Sequence, residues 1–125
     1  MSTLLFVGLG GFFGAVARFL ISGWVQRLLS FTFPLGTLTV NVLGSFLIGF
    51  LFLLFEDFVS PNLKAALITG FLGALTTFST FSYETTNLIM EGAFLRALLN
   101  VLLNVLLCLT ATYLGMGAYK LIFKV

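Results

Sequence analysis

Histidine is absent from this chain, cysteine occurs once, and charge is scarce: six Lys or Arg and four Asp or Glu in 125 residues. Without histidine, a His-based metal site or acid–base pair is excluded. A single cysteine, Cys108, rules out an internal disulfide. The charged fraction, 8%, is too small to coat a soluble domain of this size. The net charge of +2 rests on so few groups that it points to no nucleic-acid partner. No Ser-His-Asp, Cys-His or paired-carboxylate arrangement is available for catalysis, so an enzyme is not expected.

What is abundant is apolar surface. Hydrophobic residues make up 60% of the chain and the mean hydropathy is +1.19, so most of the surface must face lipid. A helix crossing the bilayer core needs roughly 20 apolar residues. The chain has room for four, with short loops, in one all-α transmembrane domain over residues 1–125. The spacing predicts helices over about 3–24, 35–55, 63–90 and 94–121. The stretch from Val25 to Phe33 reads as a connection, and Pro34 suits the first turn of the second helix. Glu56, Asp57, Ser60, Pro61 and Asn62 read as a polar turn, with Pro61 opening the third helix. Glu91 and Gly92 make the last turn, and Lys120 and Lys124 mark the exit into water. The first apolar run lacks a basic leader and contains Arg18, so it reads as a retained span and not a cleaved signal. Gly8, Gly10 and Gly14 mimic a dinucleotide fingerprint, but no βαβ unit can surround them. Gly10 and Gly14 read instead as a helix-packing motif.

Loop charge sets membrane orientation. Lys64, Lys120 and Lys124 fall on one side, and Arg27 and Arg96 on the other, with Arg18 toward the same end. This balance barely specifies a direction. Insertion both ways round, with opposed copies pairing, is one explanation; a direction decided by one further charge or by lipid is the other.

Polar side chains within lipid are costly unless partnered. Thr37, Asn41, Ser45 and Gly49 recur every fourth residue on one helical face. They form either a small-residue seam or a donor line along a pathway. Asn100, Asn104, Cys108 and Thr112 repeat the pattern in the fourth helix, as a wet stripe or as a second seam. Cys108 there reads as a packing residue. In the third helix, seven of the eleven residues from Thr76 to Thr86 are Ser or Thr. Their hydroxyls compete for backbone groups. A break near Gly73 to Thr77 is predicted, and its bare carbonyls need protein, water or a hard cation. The alternative is a helix kept intact by hydroxyl back-bonding. Phe78 and Phe81 share a face within this segment. Their positive ring edges could surround a small anion, or the rings could simply pack.

Three motifs taken together carry a resemblance. They are Gly10-Gly-Phe-Phe-Gly-Ala-Val-Ala-Arg18, Gly36-Thr-Leu-Thr-Val-Asn-Val-Leu-Gly-Ser45 and Gly70-Phe-Leu-Gly-Ala-Leu-Thr-Thr-Phe-Ser-Thr-Phe-Ser-Tyr-Glu84. With them the chain closely resembles the Fluc (CrcB) family of fluoride channels over nearly its whole length. The resemblance implies a dual-topology antiparallel homodimer in a prokaryotic cell membrane, releasing cytoplasmic fluoride passively. It implies fluoride pores lined by Phe78, Phe81 and Asn41, with Ser82 and Thr80 beside the rings. Asn104, Cys108 and Thr112 would form the fourth-helix track, with Asn100 at one end, where family members often carry hydroxyls. Arg18 and Glu84 would shape the pore ends. One structural Na⁺, not transported, would be held by the backbone carbonyls of Gly73 and Thr76. The rivals are a proton-coupled exporter of small cations, which would want an acid in the first helix where Arg18 stands, and a non-transporting subunit of a larger complex.

Overall fold

Long runs of Leu, Phe, Val and Ala without interior proline favour helix, and lipid enforces it, because only a helix satisfies its own backbone groups there. The computed structural model describes residues 2–29, 32–58 and 60–124. Among them there is no strand, and four helical spans are long and apolar enough to cross a bilayer.

Helix α1 covers Ser2–Leu29. It runs five residues past the predicted end, since Val25-Gln-Arg-Leu-Leu29 contains no breaker and Arg27 suits the negative end of the helix dipole. The predicted connection shrinks accordingly, and its Ser30 and Phe31 lie outside the described residues. Gln26 ties it together: its Nε2 donates to the Phe33 carbonyl at 2.8 Å, and its Oε1 accepts from the Gly36 N–H at 3.0 Å. Helix α2 covers Leu35–Phe58. Pro34 stands just before it, not in its first turn, and its carbonyl accepts from the Leu38 N–H at 3.4 Å. Glu56 and Asp57 belong to α2 rather than to the polar turn, because the turn's stop signal begins only with Ser60 and Pro61.

The third span is built in pieces. Helix α3, Pro61–Lys64, has Pro61 in its first turn and Ser60 as its cap, the Ser60 hydroxyl accepting from Leu63 N–H. A π-helical segment, Ala65–Leu72, follows, then the single turn α4, Gly73–Leu75. Thr76 and Thr77 are extended, and α5 restarts over Phe78–Met90. The predicted break is present. The π-helical stretch has no precedent in its sequence, Ala-Ala-Leu-Ile-Thr-Gly-Phe-Leu. Gly92 makes the final turn with φ +82°, a left-handed conformation that glycine adopts without penalty. Helix α6 covers Phe94–Phe123, two residues longer than predicted.

Helix pairing follows from small residues. Gly10 and Gly14 of α1 lie against the carbonyls of Ala66 and Phe71, where a β-carbon would collide. Gly49 of α2 and Gly115 of α6 sit in the same way against the backbones of Thr112 and Phe46. These are backbone-to-backbone approaches of the kind that holds membrane helices together. The contacts Thr3–Asn62, Gly10–Ala66 and Gly14–Phe71 rise together in sequence, so α1 runs parallel to the third span. Asn41–Asn104, Ser45–Thr112 and Phe50–Tyr119 do likewise, so α2 runs parallel to α6. The core is small: Val40, Leu72 and Leu75, flanked by Ala17, Ile21, Leu47, Ile48, Leu51 and Phe71. Most large apolar side chains point outward, as lipid requires.

Candidate functional site: a broken helix beside a polar cavity

A cavity of about 390 Å³ opens where the third span breaks. Asn41, Gly44, Ser45 and Ile48 line it from α2, and Asn104, Val105 and Cys108 from α6. Gly73, Thr76, Thr77, Phe78 and Phe81 line it from the third span.

The break is a local consequence of Thr76-Thr77. Two adjacent β-branched residues weaken the helix, and Thr77 is a good N-cap for the next one. Thr76 still looks back, its N–H and hydroxyl both donating to the Leu72 carbonyl at 3.2 and 3.1 Å. Thr77 looks forward: its hydroxyl accepts from the Thr80 N–H at 3.2 Å and donates to the Thr80 hydroxyl at 3.1 Å.

In an unbroken helix the Thr77 N–H would close onto Gly73 and the Thr80 N–H onto Thr76. Both are diverted. Asn41 takes the first: the Thr77 N–H donates to Asn41 Oδ1 at 2.8 Å, while Asn41 Nδ2 returns a bond to the Thr77 carbonyl at 3.1 Å. This reciprocal pair clasps the break to α2. The second Asn41 N–H donates to Asn104 Oδ1 at 3.1 Å, so both donors of the Asn41 amide are engaged within the fold. The spacing pattern in α2 thus serves as seam and cavity wall at once.

The other predicted residues divide. Phe78 and Phe81 stand together, ring centroids 5.4 Å apart and tilted by 55°. Phe81 is half-buried, but Phe78 is 78% exposed, and Gly73 is exposed as well. Cys108 lines the cavity. Thr112 lies farther along α6 and donates to the Ser45 carbonyl at 3.1 Å. Thr80 is turned to the Thr77 cap, and Ser82 is exposed; neither lines the cavity. Asn100 is 1% exposed and donates to the Thr85 hydroxyl at 2.8 Å. Arg18 Nε donates to the Ala74 carbonyl at 2.9 Å, supplying another acceptor freed by the break. Glu84 Oε2 accepts from the Thr37 hydroxyl at 3.0 Å, and Oε1 is buried with no hydrogen-bond partner among the described residues. Glu84 also lines a second cavity, about 340 Å³, with Gln26, Tyr83, Asn87, Glu91 and Arg96 among its walls.

Sequence reasoning named Thr77 only as part of the break. Its signal was there, a Thr three residues before Thr80 at a helix restart. Thr85, which binds Asn100, carried no signal. Among the described residues no group of three or more Cys, Asp or Glu side chains is placed to hold a metal ion.

The family model described as CrcB-like protein, Camphor Resistance (CrcB), matches residues 5–116. A protein from a Sulfurovum species named fluoride-specific ion channel FluC is 61% identical over 120 residues, covering 96% of this chain and 95% of that one. A protein from a Nitratiruptor species with the same name is 56% identical over 119 residues, covering 95% and 93%. One from Geotalea daltonii, also so named, is 48% identical over 124 residues, covering 98% and 100%. The matched segment contains the Asn41 clasp, the break, the Phe pair and four membrane-crossing helices except the first turn of α1 and the last turns of α6, and this multi-pass membrane protein belongs to the CrcB family.

Proposed function

We propose that the chain is a fluoride-selective channel, a passive conduit and not an enzyme, that works as an antiparallel homodimer. One observation carries the reading: Phe78, Phe81, Asn41, Asn104 and Cys108 meet at one cavity beside a broken membrane helix. The relatives that align over almost the whole chain are named fluoride-specific ion channels.

Fluoride that enters an acidified cell as HF ionises inside and cannot return through lipid as an anion. A conduit must replace its tightly held water with many weak donors and no trap. Ring edges of Phe78 and Phe81 offer weak positive charge. Asn41 offers an amide N–H, and the track from Asn104 past Cys108 to Thr112 continues along α6. Among the described residues, no Lys or Arg lines the cavity to hold the ion too well. Thr80 and Ser82 serve the rings indirectly, through the cap and through the exposed face. Arg18 and Glu84 flank the path rather than block it.

The partner is argued from what one copy leaves bare. Exposed Gly73 and Phe78 suit an interface, and the balanced loop charges suit opposed insertion. A structural Na⁺ fits the same place. The carbonyls of Gly73 and Thr76 are hard oxygens whose helical donors are diverted to Asn41 and to the Thr77 hydroxyl. They would hold the ion together with the partner's copies, and its charge would stand in for the diverted N–H donors at membrane depth.

The test is efflux from liposomes containing the purified chain, read with a fluoride electrode and with chloride as control. Rapid fluoride release with retained chloride is the expected result. Equal rates for the two ions would remove the selectivity, and no release of either would remove the channel.

A further inference from the structure

Asn104 is 6% exposed and sits in the middle of a one-way chain of hydrogen bonds. Asn41 Nδ2 donates to Asn104 Oδ1 at 3.1 Å. Asn104 Nδ2 donates to Asn100 Oδ1 at 3.1 Å and to the Asn100 carbonyl at 2.9 Å. Asn100 Nδ2 donates to the Thr85 hydroxyl at 2.8 Å, which donates to the Phe81 carbonyl at 2.8 Å. The chain starts at the cavity amide and ends on the backbone of a cavity ring.

Its direction is set by groups that cannot reverse. A backbone N–H only donates and a carbonyl only accepts. Asn41 must therefore turn Oδ1 to the Thr77 N–H and Nδ2 to the Thr77 carbonyl. At the other end, the Asn100 carbonyl demands Nδ2 from Asn104. Both conditions leave Asn104 facing Asn41 with its oxygen. Toward the cavity amide, this residue is an acceptor and not a donor.

We propose that Asn104 is a positioning residue whose Oδ1 is the acceptor an entering anion must displace from Asn41, so that it sets how loosely the conduit holds its ion. The inference rests on the channel reading above. The Asn41 N–H that faces Thr77 is locked in a reciprocal pair, so the N–H facing Asn104 is the one an anion can take. Every anion that arrives competes with a resident oxygen for it, and every departure returns the N–H to that oxygen. Tight binding is thereby disfavoured without removing the donor.

One such hydrogen bond corresponds to about threefold to tenfold in apparent affinity. In liposomes holding the full chain, initial fluoride efflux is measured against internal fluoride concentration. Asn104→Leu keeps the volume and deletes the acceptor. The half-saturating concentration is expected to fall about threefold to tenfold, with a lower maximal rate. Asn104→Ser is expected to move back toward wild type, because its oxygen can accept from Asn41 while its O–H donates to the Asn100 carbonyl. A merely structural role lowers the maximal rate alone, by lowering the share of working protein. If Asn104→Leu gives no monodisperse protein, Asn104→Ala is read the same way. A conducting variant whose half-saturation is unchanged or raised overturns the role of Asn104 and leaves the channel standing. A wild-type chain that passes no fluoride overturns the channel, and this proposal with it.

Discussion

Asn41 has one amide and three bonds to make with it, two to Thr77 and one to Asn104. In a membrane interior each net bond is worth about 0.5 to 1.5 kcal/mol. Asn41→Leu removes all three and leaves the Thr77 N–H and carbonyl bare. It is expected to cost about 1 to 3 kcal/mol by thermal unfolding in detergent, and at least a tenfold loss of fluoride flux. A variant of wild-type stability would show that the clasp does not hold the break. Cys108 permits a second prediction at this scale, because it lines the same cavity as the Phe pair. A bulky methanethiosulfonate is expected to stop flux in the wild type and to leave Cys108→Ser unaffected. Undiminished flux from protein shown by mass spectrometry to carry the adduct would take Cys108 off the path.

At the scale of the element, the third span depends on two junctions. The restart of α5 relies on the Thr77 cap, and Thr77→Ala is expected to cost roughly 1 kcal/mol through the cap alone. The docking of α1 relies on Gly10 and Gly14 lying flat against the Ala66 and Phe71 carbonyls. Gly14→Val puts a branched side chain into that contact and is expected to abolish monodisperse protein on size exclusion. Gly8→Val is its control, since nothing lies within 4 Å of a β-carbon there. Equal yields from the two variants would mean that the seam does not position the span. The seam was readable, because glycines four apart in an apolar helix have few other uses. The π-helical segment was not, because its bond pattern depends on what packs beside Ala65–Leu72 and not on its own composition.

The whole molecule exposes more than one copy can explain. Lipid accounts for bare Leu and Phe, but not for exposed Gly73 at a break whose N–H donors are diverted to Asn41 and to the Thr77 hydroxyl. Opposed pairing predicts that a copy carrying Ser2→Cys on a Cys108→Ser background is labelled by an impermeant maleimide in about half of the molecules in intact cells. Complete or absent labelling would mean a single orientation. If the proposed Na⁺ site is real, exchange of Na⁺ for a large organic cation during purification and assay is expected to lower flux, because the Gly73 and Thr76 carbonyls would lose their counter-charge. Unchanged flux after full exchange would remove the ion from the assembly.

Composition and spacing were enough for the solvent, the four helices, the break and the polar faces. Each of these follows from local rules: the energy of apolar transfer, the helical repeat, and the preference of paired Thr residues for caps over helix interiors. They could not say what the polar atoms would bind. Asn41 reaches Thr77 across 36 residues and Asn104 across 63, and Arg18 finds the Ala74 carbonyl across 56. Hydrogen bonds are directional and short, so whether Asn104 meets Asn41 as donor or acceptor is settled only once α2, α5 and α6 are packed. Spacing marked Asn104 as a polar residue on a wet stripe or in a packing seam, without deciding between them. Packing made it the oxygen that competes for the pathway's donor.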